Sequence, residues 1–304
     1  MDYFDLHCDT LTECAKQGCG LWENRLHLDV KRGLSFDDYV QVFAIFVPDT
    51  LRGEAAIEYG RRLLRLAGRF AAGLPSLCRI HTAADLDTAC REHRCGMMLS
   101  VESGAVLGGD LSVLDELAAA GVRLLTLTWN GENEWGFGCL DGRQEGLTPF
   151  GREALRRMES LHILPDVSHL NEAGFWDVAS LTRWPFLATH SLSAAVHPHP
   201  RNLTDEQFSC IRDRGGLVGL HLCTDHLGEA SFDAFERHLT HFLELDGLHT
   251  VAIGCDLDGT ALPPDWPGIG TMPLLCEHLE RDGFPEAVCD RLFWQNAYDF
   301  FHSL

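Results

Sequence analysis

The chain has 304 residues, of which 45% are hydrophobic and 23% charged, and its formal net charge is −21. This length and balance support a sizeable core, while the negative field makes nucleic acid and anionic membranes poor partners. No run reaches the roughly 20 apolar residues of a membrane span, and the opening Met-Asp-Tyr-Phe-Asp-Leu-His lacks the basic start and apolar run of a signal peptide, so a cytoplasmic protein is expected.

In chain order, short apolar runs predict strands over Tyr3–His7, Tyr39–Val47, Met97–Glu102, Arg123–Trp129, Leu164–His169, Phe186–His190, Leu217–Leu222 and Thr250–Asp256. Several are near-continuously apolar, as in Phe43-Ala44-Ile45-Phe46-Val47, which suits parallel strands buried on both faces. Helical periodicity predicts helices over Glu54–Phe70, Leu111–Ala120, Pro149–Leu161, Glu172–Leu181, Asp205–Arg214 and Phe232–Leu245. Thr204 before Asp205-Glu206-Gln207 has the form of an N-cap with an acidic first turn.

Eight strands alternating with helices, with no linker or repeat, predict one α/β domain over residues 1–304. Eight is the number that closes a (β/α)8 (TIM) barrel. An open, doubly wound sheet usually carries a glycine-rich loop after its first strand. Here that place holds Cys8-Asp9-Thr10-Leu11, which cannot cradle a pyrophosphate. The 12 cysteines include no C-x-x-C pair and read mainly as small buried hydrophobes.

Polar residues stand where the apolar runs stop. They are His7 and Asp9 after the first strand, Glu102 after the third, His169 after the fifth, His190 after the sixth and Asp256 after the eighth. In a barrel these ends converge on one mouth. Residues two apart on a strand share a face, so His7 and Asp9 are expected to reach one metal ion. Neutral imidazole and carboxylate are zinc ligands, at about 2.0–2.2 Å. Glu102 could bridge to a second ion completed by His169 and His190, and a pair of ions about 3.5–4 Å apart can share a hydroxide and polarise a carbonyl. A carboxylated lysine bridge near the fourth strand is excluded, because the only lysines are Lys16 and Lys31.

These segments resemble the membrane dipeptidase family, a group of metal-dependent amidohydrolase-like barrels. Asp5-Leu6-His7-Cys8-Asp9-Thr10-Leu11 is similar to its first metal motif, and Val101-Glu102-Ser103-Gly104 with Leu107-Gly108-Gly109-Asp110 to its bridging-glutamate motif. Asp166-Val167-Ser168-His169 and Ala188-Thr189-His190-Ser191 resemble its histidine motifs. Pro200-Arg201-Asn202-Leu203-Thr204-Asp205-Glu206 resembles its arginine motif, and Gly254-Cys255-Asp256-Leu257-Asp258-Gly259 its last-strand motif. The resemblance runs from residue 5 to about 300, in the family's order.

The resemblance implies a zinc dipeptidase with two Zn2+ per chain, or another divalent metal, and a dipeptide substrate. His7 and Asp9 would hold one ion and His169 and His190 the other, with Glu102 between them. Arg201 would grip the substrate's C-terminal carboxylate. Asp256 would shuttle the proton between a metal-bridging water and the leaving amine, with Asp258 in support. Relatives suggest a homodimer. Family members such as the renal enzyme carry a histidine where this chain has Trp129, which has one N–H donor and no acceptor. Trp129 is therefore expected to wall the substrate pocket, and His221, at the seventh strand's end, is a further candidate to line it. Other readings keep the metals but change the substrate to another small carboxylate-bearing amide or lactam, or make the protein a metal-bound binder without catalysis.

Overall fold

A computed structural model describes residues 1–304. Its eight strands are β1 (Tyr3–Cys8), β2 (Tyr39–Phe46), β3 (Leu77–Arg79), β4 (Cys95–Glu102), β5 (Val122–Thr126), β6 (Leu164–Asp166), β7 (Val218–Leu220) and β8 (Val251–Ile253). All pairings between them are parallel, along the path β6-β5-β4-β2-β1-β8-β7, with β3 attached to β4. The two ends of this curled sheet meet through the segment Leu187–Ala188, which bridges β6 at Asp166 and β7 at Val218. Leu187 N donates to Pro165 O at 3.0 Å and Gly219 N to Ala188 O at 2.8 Å. The fold is a (β/α)8-type barrel.

Two differences from the expected strands have local causes. The stave predicted over Phe186–His190 is reduced to single bridges, because the Thr189 N–H is taken by the Asp166 carboxylate rather than by a neighbouring strand. The extra strand β3 was not predicted; its three residues pair only with Cys95–Met97, leaving Leu99–Glu102 of the same strand edge to β5.

A layer of apolar side chains gathers contributions from every stave: Phe4 and Leu6, Val40 and Val42, Met98, Leu124, Leu164, Leu187, Leu217 and Ala252. Ala297, Phe300 and Phe301 of the C-terminal helix join it, and the Phe4 and Phe301 rings stack 5.4 Å apart. The barrel interior is thus packed at the end away from the strand C-termini, as in a filled barrel rather than a pore. A larger apolar shell lies between the sheet and its helices.

The six predicted helices form at Gly53–Gly73, Ser112–Ala119, Pro149–Ser160, Glu172–Leu181, Asp205–Asp213 and Phe232–Glu244. Thr204 caps its helix by accepting from Gln207 N, and the Gln207 side chain accepts from Thr204 N in return, which satisfies two otherwise orphaned donors. Further helices at Thr10–Gln17, Ala83–Arg91, Thr271–Arg281, Glu286–Asp290 and Asn296–His302 were not predicted. No helix is long and apolar enough to cross a membrane.

Candidate metal centre

The C-terminal ends of the strands bring His7, Asp9, Glu102, His169 and His190 into one buried cluster, with Asp256 partly exposed at its edge. Glu102 lies between two groups: its Oε2 is 3.3 Å from His7 Nε2, and its Oε1 is 3.0 Å from His169 Nε2 and 3.8 Å from His190 Nε2. Ligand-type atoms of Glu102, His169 and His190 lie within 4.8 Å of one another, as do those of His7, Asp9 and Asp256.

Local backbone features aim these groups. The β1–β2 register slips between Asp5 and Cys8, so strict alternation does not carry His7 to the mouth; the irregularity turns it there. His169 and Asp256 have φ of 68° and 60°, left-handed values that cost a non-glycine residue of order 1 kcal/mol or more and persist where surroundings enforce them. A Cβ on Gly259 would fall 2.1 Å from Asp256 Oδ1 and 2.5 Å from Asp9 Oδ2, so only glycine lets the loop pass these carboxylates.

Two buried carboxylates clamp the strand ends from behind. Asp5 Oδ1 accepts from His7 N and Cys255 N, each at 3.0 Å, and its Oδ2 from the Tyr3 hydroxyl. Asp166 Oδ1 accepts from Ser168 N and Thr189 N, while Oδ2 accepts from the Thr126 and Thr189 hydroxyls. Sequence reasoning did not single out either aspartate. The available signal was a carboxylate inside an apolar strand, which demands several donors if it is buried.

This second layer fixes the imidazole tautomers. The Thr189 hydroxyl spends its proton on Asp166, so it accepts from His190 Nδ1 at 2.9 Å. Asn130 Oδ1 accepts from His169 Nδ1 at 2.8 Å. Both Nε2 atoms are therefore left with bare lone pairs, and they face each other across 2.9 Å. Among the buried polar atoms without a hydrogen-bond partner are His7 Nε2, Asp9 Oδ1 and Glu102 Oε2. Opposed lone pairs and unpartnered buried carboxylate oxygens are stable only around positive charge. The cluster therefore fits divalent metal ions, by the chemistry of its donors and by the atoms it leaves unsatisfied.

The buried carboxylates make the potential here strongly negative. Burial disfavours the His7 imidazolium, but Glu102, then Asp256 and Asp9, outweigh it and push His7 up to about 10. Glu102 is held well below the usual carboxylate range: burial opposes this, and His7 and His169 prevail. His169 falls to about 4 through burial and the Arg201 charge, and His190 is held well below its ordinary value by burial and His7. Asp256 is raised to about 7 by burial, against His7's pull and with Glu102's repulsion.

A cavity of about 250 Å3 opens over the cluster, lined by Asp9, Glu102, His169 and Asp256 and walled by Phe46, Trp129 and His226. Trp129 packs edge-on against Phe46 with centroids 5.0 Å apart and lies 6.3 Å from the His169 ring. A neighbouring cavity of about 440 Å3 shares His169 and is lined by Arg201, Ser191 and His199. Arg201 is 4% exposed; its Nη2 donates to His190 O at 3.0 Å and its Nε has no partner. His221 is buried behind the centre, with its Nε2 3.2 Å from Nδ1 of His226. His226, not His221, borders the metal-side cavity. Asp258 is committed elsewhere, to the Thr10 hydroxyl and His27 N.

Buried imidazoles and carboxylates at the C-terminal mouth of a barrel, arranged around a shared glutamate, define a metal-dependent hydrolase. The chain belongs to the membrane dipeptidase family (peptidase family M19), whose pattern matches residues 1–302. Membership makes it a metal-dependent hydrolase of peptide bonds. It is 34% identical over 239 residues to an uncharacterized protein in the pqqA 5′ region of Klebsiella pneumoniae, covering 74% of this chain and 87% of that one. Among solved structures it is similar to dipeptidase AC, a metallopeptidase of family M19, at 28% identity and a TM-score of 0.92, covering 99% of this chain and 98% of that one. It is also similar to a metallopeptidase from Rhodobacter sphaeroides liganded with a phosphinate mimic of the dipeptide L-Ala-D-Ala, at 27% identity and a TM-score of 0.91, with the same coverage.

Proposed function

We propose that this protein hydrolyses dipeptides using two zinc ions, with Glu102 shared between an ion held by His7 and Asp9 and an ion held by His169 and His190. The observation that carries the reading is the division of Glu102's oxygens, one 3.3 Å from His7 Nε2 and the other 3.0 Å from His169 Nε2. When bound, such ions supply Lewis acidity and lower the pKa of a coordinated water. Asp256, whose carboxyl is pushed up to about 7, would accept a proton from the attacking water and return it to the leaving amine. Arg201, with its buried Nε unpartnered, holds the substrate's terminal carboxylate on the far side of His169. Trp129 walls the cavity, and an apolar indole there favours a compact first residue. Action in the cytoplasm belongs to the same reading, supported by 12 free cysteines.

The test is elemental analysis of purified wild type and Glu102→Ala, followed by a panel of dipeptides and small amides. The panel includes L-Ala-D-Ala, because the Rhodobacter sphaeroides relative binds a mimic of it. At least two zinc ions per chain, falling in the variant, with hydrolysis confined to dipeptides, is the expected result. Full metal loading with turnover only of lactams or N-acyl amino acids would move the substrate assignment, and a wild type that acquires no metal would remove the mechanism.

A further inference from the structure

The helices Phe232–Glu244 and Thr271–Arg281 lie on the outside of the barrel. Between them His278, only 6% exposed, points its Nε2 into a group of carboxylates: Glu236 Oε2 at 3.2 Å, Asp233 Oδ1 at 3.5 Å and Asp282 Oδ2 at 3.7 Å. That nitrogen is buried and makes no hydrogen bond to any of them. One atom each from Asp233, His278 and Asp282 falls within 4.8 Å of the others. Phe232 packs against the imidazole with centroids 5.6 Å apart and stacks on Trp266 at 5.1 Å, so an apolar wall fixes the ring's direction.

We infer that this is a second, separate metal site, in which His278, Asp233 and Asp282 bind one divalent transition-metal ion, with Glu236 beside it. The separations decide between a metal site and an ordinary ion pair. A charge-assisted N–H···O bond closes to about 2.7–2.9 Å. Ligands held about 2.0–2.2 Å from a tetrahedral ion stand roughly 3.3–3.6 Å apart. The Nε2–oxygen distances to the two proposed carboxylate ligands, 3.5 Å for Asp233 and 3.7 Å for Asp282, lie at the second value or just beyond it and well outside the first. Three protein ligands of mixed imidazole and carboxylate type suit zinc, and also cobalt or manganese, with water completing the shell.

One group opposes loading. Arg281 Nη2 donates to His278 Nδ1 at 2.6 Å. A metal on Nε2 requires the proton on Nδ1, so Arg281 must withdraw. Its side chain is 69% exposed, so it can swing into solvent, giving up its 3.1 Å bond to Asp282 as well. Arg281 therefore acts as a competitor for the site, and removing it tightens binding. The bound ion clips the two helices together, and it has no contact with the catalytic cluster.

The test uses full-length protein stripped with chelator and titrated with zinc chloride, bound ions being counted by equilibrium dialysis and elemental analysis. Wild type takes up one more ion per chain than His278→Ala, and the same one-ion difference persists in a Glu102→Ala background. Asp233→Asn with Asp282→Asn, a pair of more exposed positions, gives the same loss and decides the matter if His278→Ala folds poorly. Arg281→Ala binds the extra ion several-fold more tightly. Equal ion counts in wild type and in both the His278 and double-aspartate variants overturn the inference. Loss of an ion on Glu102→Ala alone bears on the catalytic cluster, so the two sites fail or stand separately.

Discussion

Asp256 and Asp258 stand two residues apart beyond β8, both with positive φ, yet their surroundings give them different work. Asp258 spends one oxygen on the Thr10 hydroxyl and the other on His27 N, and so holds the loop. Asp256 faces the cavity 3.9 Å from His7 Nε2, with its carboxyl raised to about 7 by burial and by Glu102's charge against His7's attraction. A group poised near neutrality can both take and give a proton. Asp256→Asn is therefore expected to lower kcat by about 10²–10⁴-fold while metal content stays at the wild-type value; loss of metal with the activity would make Asp256 a ligand rather than a shuttle. For Arg201 the proposed role is binding instead. Replacing it with methionine keeps much of the buried volume but removes the guanidinium, and the expected effect is a KM raised by about 10–100-fold for dipeptides, consistent with a lost charged hydrogen bond of about 1.5–3 kcal/mol. A dipeptide amide lacking the carboxylate should show no such difference between wild type and variant.

At the scale of elements, the barrel mouth is assembled by carboxylates that hold adjacent strands in register. Asp166 ties β5, β6 and the Leu187–Ala188 stave together through Thr126, Ser168 and Thr189, and through Thr189 it orients His190. Asp166→Ala strands two buried N–H groups and frees the Thr189 hydroxyl to turn toward His190. The expected result is a loss of about 3–5 kcal/mol in denaturant unfolding and metal affinity about 10–100-fold weaker. An unchanged affinity in a destabilised protein would confine Asp166 to a structural role. The primary cluster was legible in the sequence because each ligand-type residue interrupts an apolar run at a strand's end, and strand ends of a parallel barrel must meet. What supports it was less legible. The register slip in β1 breaks the two-residue alternation from which His7 and Asp9 were expected to share a face. Asn130 reaches His169 across 39 residues, and Asp166 reaches Thr126 and Thr189 across 40 and 23; periodicity carries no such information. His226 reaches the cavity from a short helix, Thr224–Leu227, that leaves no amphipathic pattern, whereas His221 was visible because it ends an apolar run. The strand β3 has three residues and escaped notice for the same reason.

For the whole molecule, acid stability is set by buried histidines as well as by the 45 carboxylates. His238 illustrates the sign. It is fully buried, its Nδ1 accepts from Ser193 N at 3.1 Å, and its Nε2 lies 3.3 Å from Leu227 O, an arrangement only the neutral ring satisfies. Burial is the main cause that lowers it from 6.5 to about 4; the Leu227 carbonyl opposes the shift. A histidine with a depressed folded-state pKa leaves the unfolded chain binding the extra proton, so its contribution is complete above pH 6.5 and shrinks as pH falls toward about 4. Between pH 7.5 and pH 5 this single group is expected to remove about 2 kcal/mol of unfolding free energy. His238→Gln retains hydrogen-bonding capacity without a titrating ring. Urea unfolding of both proteins in chelator, at pH 7.5 and pH 5, isolates the effect, since the metal-cluster histidines titrate equally in each. The variant is expected to start less stable at pH 7.5 and to lose about 2 kcal/mol less than wild type on acidification. If both lose the same amount, His238 carries no pH dependence and the acid limb of stability belongs to other groups.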